Sequence, residues 1–366
     1  MEQLRMSLRL QQEVMDTEAC TRCGLCVGLC PYIKTMNERI AFIHDCSRED
    51  GNCYQVCPRT PTDWAALDQA VFGEARTDQV LGNYAQILYA RSLDRGTGES
   101  GQYGGVVSAL AAFMLESGES EAAVVTRGEE SGPPTPVVAR TREEILAASG
   151  SKYSASPTLS ALNEGMRQGL NNLTVVGRPC QVLGLRKMQS LTGASEHNLS
   201  ARQVNFTIGL FCFWSLDTKV YSLFQQKTEG KAVRKIDIPQ NFVVLTTDDG
   251  EVQIPVDEVR EHIRPTCLRC YDPTSEFADV AVGSTEDDPQ WNTLIVRTAK
   301  GKEVVERAVA EGRLETQEYP PARLPLLLTA VKNKKQRVLE GMARSEVGYE
   351  YLILNSAGLA AAGREA

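Results

Sequence analysis

Four cysteines at the spacing Cys20-x-x-Cys23-x-x-Cys26-x-x-x-Cys30-Pro31 constrain this chain more than any other feature. Gaps of two residues let one loop turn three thiolates toward a common point while its amides face inward, which is how ferredoxin-type loops hold 4Fe-4S clusters. In the two-cluster version, the fourth cysteine of each run precedes a proline and crosses to the other cluster. A second Cys-Pro is therefore expected downstream, and Cys57-Pro58 supplies it.

Counting back from Cys57, Cys53 takes the third-cysteine slot, and Asp50-Gly51-Asn52-Cys53 mirrors Cys23-Gly24-Leu25-Cys26. Asp50 then stands in the second-cysteine slot, with Cys46 one residue further out than usual. The expected assignment is Cys20, Cys23, Cys26 and Cys57 on one cluster, and Cys30, Cys46, Cys53 and Asp50 on the other. A carboxylate is a harder and weaker ligand for iron than a thiolate, which points to a labile or three-iron second site. The other reading of Asp50-Gly51 is a plain turn. Zinc is the competing metal for these cysteines, and the Cys-Pro symmetry argues against it.

At 366 residues with 42% hydrophobic and 23% charged residues, the chain can bury a core and divide into two or three lobes. Its eleven cysteines are too dilute for a disulfide-stapled secreted scaffold and cluster at metal-ligand spacings, so reduced thiols and a cytoplasmic location are expected. Arg5 and Arg9 lie among Leu4, Leu8 and Leu10 without an apolar export core. The longest apolar stretch, 208–214, falls far short of the roughly 18 residues that span a bilayer, so no membrane span is expected. Net charge is -8 with scattered basic residues, which excludes the footprint of a nucleic-acid partner.

After a cysteine-studded segment and a connector with a helix over 63–72, strand and helix patterns alternate, predicting an α/β (α+β) body. Strands are expected at 84–91, 122–127, 137–140, 173–176, 206–213 and 280–283. Helices are expected at 106–116, 159–168, 181–191, 301–311 and 324–343. Asp248-Asp249-Gly250 reads as a hairpin turn between 242–247 and 251–255. The Gly- and Pro-rich stretch 128–136 reads as a surface loop.

Four cysteines remain: Cys180 and Cys212, each at the end of an apolar strand pattern, and the pair Cys267-x-x-Cys270. Spacing alone leaves three readings open: a third Fe-S cluster, a structural zinc, or two buried free thiols beside an unrelated pair.

Several motifs in one order resemble the beta subunit family of coenzyme F420-reducing hydrogenase. That family includes the F420-linked formate dehydrogenase beta subunit, an F420H2-oxidising subunit of energy-converting complexes and plant 7-hydroxymethyl chlorophyll a reductase. The motifs are Gln102-Tyr103-Gly104-Gly105-Val106, Gly150-Ser151-Lys152-Tyr153, Gly177-Arg178-Pro179-Cys180-Gln181, Gly209-Leu210-Phe211-Cys212, Cys267-Leu268-Arg269-Cys270-Tyr271-Asp272 and Ala278-Asp279-Val280-Ala281-Val282-Gly283-Ser284. The resemblance covers nearly the whole chain. It implies FAD and a 4Fe-4S cluster in the body, with Cys180, Cys212, Cys267 and Cys270 as the cluster ligands. It places Tyr103, Gly104, Gly105, Ser151, Lys152 and Tyr153 at the flavin. Paired glycines opening a helix let a ligand approach closely, and free amides there suit a pyrophosphate. One departure is Thr285-Glu286-Asp287-Asp288-Pro289, where relatives have a further glycine.

The implied organisation is a two-cluster ferredoxin-like domain (1–60), a connector (61–82), the two parts of a flavin-binding body (83–160 and 161–320), and a C-terminal helix and tail (321–366). The implied function is electron transfer between a hydride carrier such as coenzyme F420 and one-electron partners, as a subunit of a larger complex. The alternatives keep the cofactors and drop F420: a ferredoxin-linked reductase, or an adaptor subunit in a formate dehydrogenase or heterodisulfide-reductase-like assembly. A relay with a vestigial flavin site is a third reading. No catalytic side chain is assigned.

Overall fold

The structure is a computed structural model that describes residues 6–36, 39–47, 51–94, 96, 102–129, 132–191, 201–239, 241–285, 287–344 and 349–354. Near the N-terminus, α1 (Met6–Leu10) runs into a π-helical turn, Gln11–Met15, and β1 (Ile33–Met36) pairs antiparallel with β2 (Arg39–Phe42). A short α2 (Asn52–Gln55) follows. Leu10 and Val14 close over Ile33, Ile40 and Tyr54, a small core with Cys53 inside it and Cys20, Cys26, Cys30 and Cys57 packed around it. The connector consists of β3 (Thr62–Asp63) and α3 (Trp64–Phe72). Asp63 caps α3 by accepting from the Ala66 N–H at 3.0 Å, which is why the helix starts there.

The body opens with β4 (Gln86–Ser92), α4 (Val106–Glu116), β5 (Ala122–Glu129) and β6 (Gly132–Ala139). It continues through α5 (Arg142–Ala147), α6 (Leu159–Arg167), β7 (Leu173–Gly177), α7 (Pro179–Gln189) and β8 (Val204–Leu210). A smaller lobe follows: α8 (Val220–Lys227), β9 (Lys235–Asp237), β10 (Phe242–Thr247), β11 (Gly250–Pro255) and α9 (Val256–Arg260). The chain then returns through α10 (Pro265–Leu268), β12 (Val280–Ser284), β13 (Asn292–Val296), α11 (Ala299–Ala310), β14 (Leu314–Glu318), α12 (Leu324–Ala343) and β15 (Leu352–Ile353).

Eight strands form one mixed sheet in the order β14-β4-β13-β12-β8-β7-β5-β6. The neighbours β12, β8, β7 and β5 run parallel, and the flanking pairs are antiparallel. Every residue of β13 is buried, as a strand covered on both faces requires. No helix among the described residues is long and apolar enough to cross a membrane.

Two expectations need correction. The described residues of the stretch 128–136 are strand rather than surface loop: β5 runs to Glu129 and β6 starts at Gly132, pairing Glu129 with Gly132 and Thr126 with Pro136, while 130 and 131 lie outside the described residues. β6 is the last strand of the sheet, and an edge strand tolerates proline because one side needs no amide donors. The strand expected over 206–213 stops at Leu210. The Phe211 N–H still reaches the Val282 carbonyl at 2.9 Å, but the Cys212 N–H turns to Pro273 O at 2.8 Å, carrying the chain out of the sheet.

The N-terminal segment seats on the body through Leu25 and Val56, which join a buried cluster with Leu159, Leu162 and Leu185, and through its main-chain carbonyls. Arg264 donates to Thr21 O at 2.9 Å and Cys20 O at 2.7 Å, and Asn163 donates to Leu25 O at 2.6 Å and Val27 O at 2.7 Å. Lys187 Nζ donates to Cys57 O at 2.7 Å, and Arg269 donates to Thr17 O at 3.0 Å. At Gly24, φ is +87° and a Cβ would stand 2.2 Å from Pro157 O, so only glycine fits both the turn and the contact.

Candidate functional site

The carboxyl ends of β5, β7, β8 and β12 open into a cleft of about 930 Å³ whose walls include Thr126, Arg178, Phe211 and Ser284. Open α/β sheets bind ligands at this edge, where the strand-end loops separate. The start of α4 and the stretch 148–154 close one side, Phe242 comes from the smaller lobe, and Leu326 comes from α12. The size suits an organic cofactor.

Gln102 joins the two motifs expected at the flavin. Its Oε1 accepts from the Ser151 N–H at 3.0 Å, and its Nε2 donates to Tyr153 Oη at 3.2 Å and to Asp237 Oδ1 at 2.9 Å. Tyr103 has φ +57° and Gly105 has φ +71°, so the turn before α4 passes twice through the left-handed region. Both line the cleft, as do Ser151, Lys152 and Tyr153. Gly104, between Tyr103 and Gly105, packs closely: a Cβ there would stand 2.9 Å from Ala90 O on β4. The Val106 N–H is already taken by Asn292 Oδ1 at 3.2 Å, which removes one of the amides expected to be free for a phosphate. Lys152 Nζ donates to the carbonyls of Ser149 at 2.6 Å and Gly150 at 2.8 Å, and to Ala148 O, bracing the end of α5. Burial pushes its ammonium down to about 8. Ser156 Oγ, on the cleft wall, is buried without a hydrogen-bond partner.

Behind the cleft, a small cavity is lined by Cys180, Cys212, Cys267 and Cys270, the four cysteines whose spacing left three readings open. Cys212, Arg178, Trp214 and Ser215 line both the cleft and this cavity. Burial pushes the Cys212 thiol up to about 12, with Cys267 and Cys180 adding to the rise against Lys334 and Arg178. The N-terminal thiols fall into two sets. Burial raises Cys26, and Cys23, Cys20 and Cys57 raise it further; burial pushes Cys53 up to about 12, with help from Cys30 and Cys46. Cys53 also raises Cys26 and Cys57 also raises Cys53, so the two groups adjoin. Cys180 contributes to the rise at Cys23, and Cys53 to that at Cys26, so the three sets of thiols are neighbours in series. Asp50 lies outside the described residues. All eleven cysteines are free thiols. Among the described residues no three His, Cys, Asp or Glu side chains gather as on a single metal ion.

The four-cysteine cavity is also walled by Arg59, Arg178, Arg264 and Lys334. Arg59, Arg264 and Lys334 are buried. Their partners are carbonyls: Thr266 O at 2.9 Å for Arg59, Cys20 O for Arg264 and Cys212 O at 2.6 Å for Lys334. Arg59 Nε has no hydrogen-bond partner, and the guanidinium carbon lies 4.5 Å from the centre of the Tyr351 ring. Sequence reasoning missed Asn292, Arg59, Arg264 and Lys334 as site residues. Arg59, directly after Cys57-Pro58, and Arg264, three residues ahead of Cys267, carried a local signal; Asn292 and Lys334 did not.

A ligand-sized cleft backed by ordered sets of thiols is the layout of an oxidoreductase. The chain belongs to the coenzyme F420 hydrogenase/dehydrogenase beta subunit family: residues 87–163 match the model of that subunit's N-terminal part, and residues 170–322 the model of its C-terminal part. It is 34% identical over 280 residues to the coenzyme F420 hydrogenase subunit beta of Methanothermobacter thermautotrophicus, covering 74% of this chain and 98% of that one. It is 32% identical over 305 residues to the coenzyme F420-dependent sulfite reductase of Methanocaldococcus jannaschii, covering 80% of this chain but only 46% of that protein. Among solved structures, a chain of the F420-reducing [NiFe] hydrogenase complex from Methanosarcina barkeri superposes with a TM-score of 0.68 at 32% identity, over 73% of this chain and 94% of that one.

Proposed function

We propose that this chain is an iron-sulfur flavoprotein passing electrons between a hydride carrier, coenzyme F420, and one-electron partners. FAD is assigned to the cleft, one 4Fe-4S cluster to Cys180, Cys212, Cys267 and Cys270, and two more to the N-terminal ferredoxin-like segment. The observation that carries this is the cation wall: among the described residues, Arg59, Arg178, Arg264 and Lys334 form no ion pair with a carboxylate. Buried charges without counter-charge are costly, and a cluster held by four thiolates supplies the missing negative charge where these side chains converge.

The remaining residues fit the assignment. Tyr103, Gly105, Ser151, Lys152 and Tyr153 stand where they would hold FAD, and the unpartnered Ser156 Oγ offers it a hydrogen bond. Bound flavin supplies the exchange between hydride pairs and single electrons, while the protein orients the rings. Gln102 keeps the two flavin-facing stretches together, and Arg178 stands between the cleft and the first thiol set. Electrons then have an ordered path through the first thiol set, that of Cys23 and Cys57, and that of Cys30, Cys46 and Cys53, with direction set by the partners. Asp50 is assigned as the remaining ligand of the last set. The names of the relatives support partner subunits of a hydrogenase-like complex, and the reduced thiols support a cytoplasmic setting.

Anaerobic purification followed by an ultraviolet-visible spectrum and an iron assay tests this reading. A flavin band bleached by F420H2 but not by NADH, with about twelve irons per chain, is expected for three clusters. Absence of flavin would sink the enzymatic role, and bleaching by reduced ferredoxin alone would favour the F420-independent reductase.

A further inference from the structure

Two consecutive lysines on α12 are both buried, and their surroundings differ. Lys335 forms an ion pair with Glu276 at 2.7 Å. Lys334, 3% exposed, has no carboxylate: its Nζ donates to Cys212 O at 2.6 Å and Asp272 O at 3.4 Å, and stands 5.8 Å from the centre of the Phe213 ring. It lines the four-cysteine cavity. Leu326, Leu327 and Ala330, about one and two turns earlier on the same helix, line the cleft. The helix thus passes from the cleft to the thiols, and Cys212, whose carbonyl Lys334 holds, borders both.

We propose that Lys334 is a positioning residue that sets the reduction potential of the group held by Cys180, Cys212, Cys267 and Cys270. The inference rests on the proposed cluster at those cysteines. Reduction adds one negative charge to the cluster, and a fixed ammonium in a poorly solvated cavity stabilises the reduced form more than the oxidised one. Lys335 exerts less pull because Glu276 neutralises it. Holding the Cys212 carbonyl also fixes the backbone of the ligand nearest the cleft, so charge and position act at the same point.

The test uses the full chain, purified anaerobically, with Lys334→Gln and Lys334→Arg compared to the unsubstituted protein. Glutamine removes the charge while keeping a donor for the Cys212 carbonyl; arginine keeps the charge. Iron content and an EPR-monitored dithionite titration are measured on all three. Equal iron is expected, with at least a tenfold lower ratio of reduced to oxidised body cluster in Lys334→Gln at the unsubstituted protein's midpoint. That is a downward shift of at least 59 mV for a one-electron couple. Lys334→Arg should restore the ratio to within threefold. An unchanged midpoint in Lys334→Gln overturns the proposal. Loss of about four irons from that variant makes Lys334 a residue for cluster loading and also overturns it. If the unsubstituted chain holds no body cluster, its own iron count shows that the proposed function has failed along with the inference.

Discussion

Arg178 Nη1 donates a hydrogen bond to Ser215 Oγ at 2.8 Å, tying the loop after β7, which leads to Cys180, to the loop after β8, which carries Cys212. Arg178 Nη2 also reaches Ser156 O at 3.3 Å. One guanidinium therefore fixes the cleft wall and the thiol cavity together. Lysine cannot reproduce this, since it lacks the planar fork. Arg178→Lys should weaken FAD binding at least tenfold, about 1.4 kcal/mol, and lower iron content in the same preparation. Fluorescence titration with FAD and an iron assay check the pair. Loss of one without the other would show that the two sites are independent.

Gly24→Ala should destabilise the seating of the N-terminal segment by roughly 1–3 kcal/mol, because the added methyl overlaps Pro157 O in a backbone region that disfavours alanine. Faster cleavage of the segment under limited proteolysis, with the body intact, is the expected result. Cleavage of both parts at the same rate would place the damage elsewhere.

Burial holds Lys152 near 8, while the unfolded lysine keeps its proton to roughly 10.4. Below about pH 8 both states are protonated and the buried ammonium carries its full cost. That cost is relieved as pH rises from about 8 toward the unfolded value. In denaturant melts of the FAD-free protein, the stability of the unsubstituted chain relative to Lys152→Met should therefore rise between pH 7 and pH 9.5. A relative stability that falls over that range would contradict the direction.

Asp50→Cys completes the second cysteine run, and the EPR signature of the outermost cluster should change to that of an ordinary 4Fe-4S centre. An unchanged spectrum would leave Asp50 with the turn alone. Iron per chain gives an independent check: it should stay at about twelve, since a carboxylate-ligated cubane becomes an all-thiolate one.

That the N-terminal cysteines gather around one small core was legible from spacing, because the two-residue gaps and the two Cys-Pro pairs are a local pattern. α4 and α12 were legible for the same kind of reason, with apolar periodicity agreeing with their observed bounds, Val106–Glu116 and Leu324–Ala343. The cation wall was not legible. Arg59, Arg264 and Lys334 are far apart in sequence, and an isolated arginine or lysine reads as a solvated surface residue until the fold buries it. β14 was missed because Leu314–Glu318 is mostly polar, and only its place beside β4 reveals it as a strand. The prolines of β6 misled in the opposite direction, since their tolerance depends on an edge position that only the assembled sheet defines.

The carbonyl contacts beneath the N-terminal segment bear on how such a chain diversifies. Arg264, Asn163, Arg269 and Lys187 grip main-chain oxygens, which every residue type presents. At those points the socket is blind to side chains, while Leu25 and Val56, buried in the body's core, and Arg59, which donates to Thr266 O, are read as side chains. A foreign cysteine-bearing segment with the same backbone trace would meet the same donors if it kept glycine at the place of Gly24 and apolar residues at those of Leu25 and Val56, so few positions tie the segment to the body.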